Sequence, residues 1–262
     1  MIPGLWFCLA SLLGPLAAVS AQNPLLDTPK VAERRDSAVT PPAQAVSLPP
    51  EKRADILMAR KMYREAAETY KEGPLGSAVI QNKIGIAYHQ MLQPEIARRY
   101  YEQAIKLDST YPEAINNLGT IYYSKKSYRR AIKLYRRALK LAPESASIYS
   151  NLGTGYFARK NYKQAAEAYQ KALTLDPDVF EHRGSWGVML QERSVEERAK
   201  FHYYLAKTYA KAGMNERALL YIRKALEEGF TERKKLMEDP EFVSIRKLPE
   251  FQELIAMEPR VL

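Results

Sequence analysis

From Ala78 to Val179 apolar and small residues recur at the three-and-four spacing of amphipathic helices, and the whole pattern then repeats after 34 residues. Gly85, Gly119 and Gly153 fall one interval apart. So do Tyr88, Tyr122 and Tyr156; Ala97, Ala131 and Ala165; Tyr101, Tyr135 and Tyr169; and Ala104, Ala138 and Ala172. Such columns predict paired helices whose small residues permit close approach and whose aromatic rings fill the space between them. A single pair cannot bury enough apolar surface alone, so the pattern predicts stacking, for which about three units suffice.

With a small residue at position 8, Tyr at 11, Ala at 20 and 27, an aromatic at 24 and Pro143 and Pro177 at 32, the unit resembles the tetratricopeptide repeat. The resemblance implies an all-α, right-handed superhelical solenoid of antiparallel helix pairs. Regular repeats are placed at 78–111, 112–145 and 146–179, after a shortened, degenerate repeat at 51–77 in which Ala66 and Tyr70 hold columns 20 and 24. The register breaks over an insertion at 180–198, whose Ser194-Val195-Glu196-Glu197 has capping-box form. It resumes at 199–230 through Leu205, Ala206, Tyr209, Gly213, Ala218, Ile222 and Ala225. The tail, 231–262, is cut by Asp239-Pro240 and Leu248-Pro249 into short helices, with Leu236, Phe242, Ile245, Phe251 and Leu254 available to cap the last exposed face.

Ahead of the repeats, 1–21 is an apolar segment ending Val19-Ser20-Ala21, which reads as a secretory signal peptide, with an uncleaved anchor as the alternative. Export to a periplasmic or extracellular location follows as an expectation. Residues 22–50 hold six of the 16 prolines without an apolar period, which predicts an extended linker. The one cysteine, Cys8, lies in the signal segment, so processing would leave neither disulfide nor thiolate chemistry.

The net charge of +10 has a definite location. On the second helix of the middle repeat Arg129, Arg130, Lys133, Arg136, Arg137 and Lys140 share one face, opposite Ala131, Ile132, Leu134, Tyr135, Ala138, Leu139 and Leu141. The resemblance puts that basic face on the convex outside. It is a solubilising surface or a site for an anionic partner, whether lipid headgroups, a wall polyanion or an acidic protein; nucleic acid is disfavoured by export.

No metal-ligand spacing joins His89, His182 and His202, and neither a nucleophile elbow nor a phosphate loop is present. No enzyme activity, metal or cofactor is expected. A hydrolase built from His182, Ser185 and Trp186 in the insertion is the remaining catalytic alternative. What the resemblance implies instead is a concave groove lined by the first helices, offering Asn82, Ile86, His89 and Gln90, then Asn116, Thr120, Tyr123 and Ser124, then Ser150, Thr154, Phe157 and Ala158, then Tyr203, Lys207 and Lys211 to a protein or peptide. The family's carboxylate clamp is not expected, since only Asn117 matches it. The function this implies is an exported adaptor or assembly scaffold; the alternative is a basic convex face on an anionic membrane or polyanion.

Overall fold

The computed structural model describes residues 48–181 and 194–256, all within a unit spanning Ser47–Leu262. The signal segment with Cys8, nearly all of the linker, and His182, Ser185 and Trp186 lie outside the described residues. Every regular element described is helical. Among the described residues there are five antiparallel hairpins: α1 Pro50–Ala59 with α2 Tyr63–Lys71, α3 Ala78–Gln90 with α4 Pro94–Leu107, α5 Pro112–Ser124 with α6 Tyr128–Leu141, α7 Ala146–Ala158 with α8 Tyr162–Leu175, and α9 Val195–Lys211 with α10 Asn215–Glu227. The described residues end with α11 Arg233–Glu238, a 3₁₀ turn at Pro240–Phe242 and α12 Pro249–Ala256.

Local chemistry sets these limits. Ser77, Ser145 and Ser194 accept from the amides of Ile80, Ile148 and Glu197, capping α3, α7 and α9. Pro94 and Pro112 occupy first-turn positions of α4 and α5, where a missing N–H removes nothing. Between the helices of each hairpin one residue turns left-handed: Lys61, Leu92, Lys126, Lys160 and Gly213, all with φ between 57° and 76°. The following amide then bonds back five residues, as from Ser127 to the Tyr122 carbonyl at 2.8 Å and from Asn161 to that of Tyr156 at 2.9 Å, which closes the first helix and reverses the chain.

The repeated columns are packing devices. Tyr101, Tyr135 and Tyr169 are fully buried, each ring lying against the glycine of its partner helix. A methyl placed on Gly85 or Gly119 would sit 2.6 Å from the ring's Cε1, so the glycine is what lets the hairpin close. The fourth regular pair replaces Gly and Tyr by Ala206 and Ile222, both fully buried. Leu236, Phe242, Ile245, Phe251 and Leu254 are buried in the same core as α9 and α10 and cover the end of the stack. On α6 the predicted apolar side is buried at Ala131, Ile132, Tyr135 and Ala138, whereas Leu141, at the helix end, is exposed.

Candidate functional site

The first-helix positions divide sharply by exposure. Asn82 is buried: its Nδ2 donates to the Tyr111 hydroxyl at 3.3 Å, and its Oδ1 accepts from Asn117 Nδ2 at 3.0 Å. One repeat on, Asn116 Oδ1 accepts from Asn151 Nδ2 at 2.9 Å, and Asn116 Nδ2 reaches Asn117 Oδ1 at 3.4 Å. The four amides form a ladder across α3, α5 and α7, tying each first helix to the next. Thr120 and Thr154 lie beneath it, Thr120 Oγ1 accepting from Tyr135 at 3.5 Å and Thr154 Oγ1 standing 3.3 Å from the Tyr169 hydroxyl. Ser150 is turned onto its own helix, donating to the Ser147 carbonyl at 2.9 Å.

Aromatic residues at position 12 are trapped in turn by the first residue of the second helix. Tyr123 packs on Tyr128 with ring centroids 5.3 Å apart, and Phe157 meets Tyr162 at 5.4 Å and Phe201 at 5.5 Å. Tyr203 stacks on Phe230 at 4.5 Å and donates its hydroxyl to Asp239, while Lys207 Nζ lies 3.2 Å from both Asp239 and Glu241. Asn82, Thr120, Tyr123, Ser150, Thr154, Phe157 and Tyr203 are therefore enclosed, which corrects the expectation that they line an open wall. The reason is side-by-side packing: position 5 of one repeat meets position 6 of the next, and the tail seats itself against α9.

Ile86, His89, Asn116 and Lys207 keep partial exposure, as do Ser124 and Ala158, and Gln90 and Lys211 are open. His89 has no aromatic at the start of α4 to enclose it, since Pro94 stands there; its Nδ1 lies 3.5 Å from the Tyr101 hydroxyl, and burial pushes its pKa down, so it is neutral at pH 7. The amide ladder escaped sequence reading although it left a signal: Asn82/Asn117 and Asn116/Asn151 are each 35 apart, one residue more than the repeat.

All six cations of the basic stripe are exposed along α6. Arg130 lies over the Tyr122 ring at 5.7 Å, Arg136 over Tyr156 at 5.7 Å, and Arg137 donates to the Ser109 carbonyl at 2.6 Å. None of the six pairs with a carboxylate among the described residues, and α6 itself contains no Asp or Glu. The contrast is with α4, where Arg98 pairs with Glu95 at 3.4 Å and Glu102 at 2.6 Å. Beside the stripe runs a trough of about 870 Å³ floored by Ile132 and Leu139, with Arg129, Lys133, Arg136 and Lys140 on its rim and Arg159 of the next hairpin among its lining residues.

Elsewhere, His202 is buried with Nδ1 2.9 Å from Glu228 Oε2, and Glu228 also pairs with Arg198 at 3.1 Å. Burial depresses the imidazole pKa more than the carboxylate raises it. No cluster of metal-ligating side chains occurs among the described residues, and no described helix is long and apolar enough to cross a membrane.

Comparison with known proteins places this geometry. Two family models described as tetratricopeptide repeat match, one over residues 111–178 and one over 78–111. Among solved structures, PilF of Pseudomonas aeruginosa is 19% identical over 79% of this chain and 86% of its own, with a TM-score of 0.52. The Cut9–Hcn1 hetero-tetramer of the APC/C gives 17% identity over 79% of this chain and 35% of that one, with a TM-score of 0.50. MamA gives 23% identity over 70% and 96%, with a TM-score of 0.46. At these identities the likeness is one of fold. Comparison with curated proteins gave no match.

Proposed function

Because the chain is a tetratricopeptide repeat protein, we propose that it serves as a scaffold that binds another protein on the face of its first helices and carries out no reaction itself. The observation that carries this reading is the amide ladder with its Gly–Tyr locks. It holds α3, α5 and α7 in fixed register and leaves one row, Gln90, Ser124 and Ala158 with Ile86 and His89 beside it, reachable from outside. A preorganised row of polar and apolar groups suits an extended segment or a helix, because little ordering entropy is lost on the receptor side. The proposal extends to an exported protein acting in the cell envelope, supported by the apolar segment 1–21.

Gln90→Glu with Ser124→Glu puts two charges into that row at positions whose side chains are not packed in the core. Affinity capture from envelope extracts should lose the partners that the parent recovers, with far-UV circular dichroism unchanged. Equal recovery by both proteins refutes the first-helix face. Fractionation of cells expressing the full chain tests the location, and retention of the unprocessed chain in the cytosol contradicts export.

A further inference from the structure

We propose that the trough beside α6 is a second docking site, for an acidic amphipathic segment of a protein partner. It deepens the scaffold reading and rests on it. Three observations converge. First, the stripe is an electrostatic conflict in the free protein: Lys133 has Arg129, Arg130, Arg136 and Arg137 three or four residues away, all of its own sign, and Arg129 and Arg130 stand at the positive end of the helix dipole. The second helix of the preceding hairpin, α4, carries its own ion pairs, whereas no carboxylate among the described residues neutralises this one.

Second, the cations are preset. Arg130 and Arg136 lie over Tyr122 and Tyr156, and Arg137 is anchored on the Ser109 carbonyl, so their heads are oriented before a ligand arrives. Third, the cations border an open, shallow trough with apolar side chains among its lining residues. Ile132 and Leu139 floor a trough of about 870 Å³, bordered by cations that include Arg159 of the following hairpin. From Arg129 through Lys133 and Arg136 to Lys140 the rim runs roughly 17 Å along the helix axis, about three helical turns.

That combination selects among anions. A layer of lipid headgroups or a phosphate backbone satisfies the rim but has nothing to place on Ile132 and Leu139. A helix of about three turns with leucine-like residues along one stripe and carboxylates on its flanks satisfies floor and rim together.

The test uses the full chain and a fluorescent three-turn peptide with Leu along one face and Glu beside it. A Glu/Ser peptide of equal charge, phosphatidylglycerol vesicles and single-stranded DNA serve as comparators. The Glu/Leu peptide should bind, weaken as sodium chloride rises from about 50 mM to about 300 mM, and lose about tenfold in affinity with Lys133→Glu plus Lys140→Glu. The Glu/Ser peptide should bind at least about tenfold more weakly. The double variant should melt no lower than the parent at low salt, because Lys133→Glu gains four opposite charges as neighbours.

No binding of the Glu/Leu peptide, unchanged affinity in the double variant, or equal binding of the Glu/Ser peptide overturns the inference. So does tighter binding of vesicles or DNA through the same two lysines, which would make the stripe a membrane or polyanion site. Any of these outcomes leaves the scaffold reading intact if Gln90→Glu with Ser124→Glu still abolishes partner capture.

Discussion

Replacing Gly119 by Ala isolates the contact on which the three Gly–Tyr hairpins close. The new Cβ would stand 2.6 Å from Tyr135 Cε1 and 2.9 Å from Cδ1, nearer than carbon atoms approach without repulsion. Tyr135 is fully buried, and its hydroxyl is held by Thr120, so the ring has no room to swing away. Overpacking of this kind costs about 1–3 kcal/mol, offset by about 1 kcal/mol from the helix propensity of Ala over Gly. The net expectation is a loss of up to about 2 kcal/mol, or several degrees in melting temperature at roughly 2–4 °C per kcal/mol.

The chain contains its own control, since Ala206 faces Ile222 in the same columns further on. Gly119→Ala should therefore become neutral or stabilising in a Tyr135→Ile background, giving a coupling of about 1–3 kcal/mol in a double-mutant cycle. The first described hairpin marks the lower bound, because Ala54 already accompanies Tyr70 there. Thermal and urea unfolding of the four proteins by far-UV circular dichroism measures the cycle, fitted as an array because repeat stacks melt by neighbour coupling. If Gly119→Ala shifts both backgrounds equally, ring repulsion is not what demands glycine, and the account of the columns fails.

Lys126→Gly and Lys160→Gly relieve left-handed backbone at φ 57° and 60°, and each should stabilise by about 0.5–1 kcal/mol, since strain of about 1–2 kcal/mol is removed and part returns as unfolded-chain entropy. Unchanged or lower urea midpoints would contradict this. Asn117→Ala strips Asn82 Oδ1 of its donor in a buried site and should cost about 1–3 kcal/mol, whereas Asn117→Asp, which also removes the donor, should do no better; rescue by Asp would show the amide bond to be dispensable.

The pH dependence follows from His89 and His202, both pushed below the ordinary imidazole pKa by burial. The unfolded chain takes up protons first, so their contribution is fully present above about pH 6.5 and is lost as pH falls through the depressed folded values. Urea midpoints should therefore drop between about pH 7 and pH 5, and His89→Gln with His202→Gln should flatten the drop; an equal drop in the double variant assigns it to other groups.

The 34-residue interval was legible because each column answers a local demand repeated across the three regular units from Ala78 to Val179: a glycine beneath a tyrosine ring and alanines where helices cross. These follow from the 3.6-residue turn and from side-chain size, which residues carry wherever they are placed. Exposure of the first-helix positions was not legible in the same way. Asn82 and Asn116 occupy equivalent columns, yet only Asn82 is buried, because Tyr111 as well as Asn117 closes over it. Lys207 looked free until the tail brought Asp239 and Glu241 against it. Periodicity says which residues are alike within a unit, whereas what covers them is set by the spacing and rotation between units. That geometry is fixed jointly by all the contacts of the stack, so tertiary packing alone decided which part of a predicted wall stayed open.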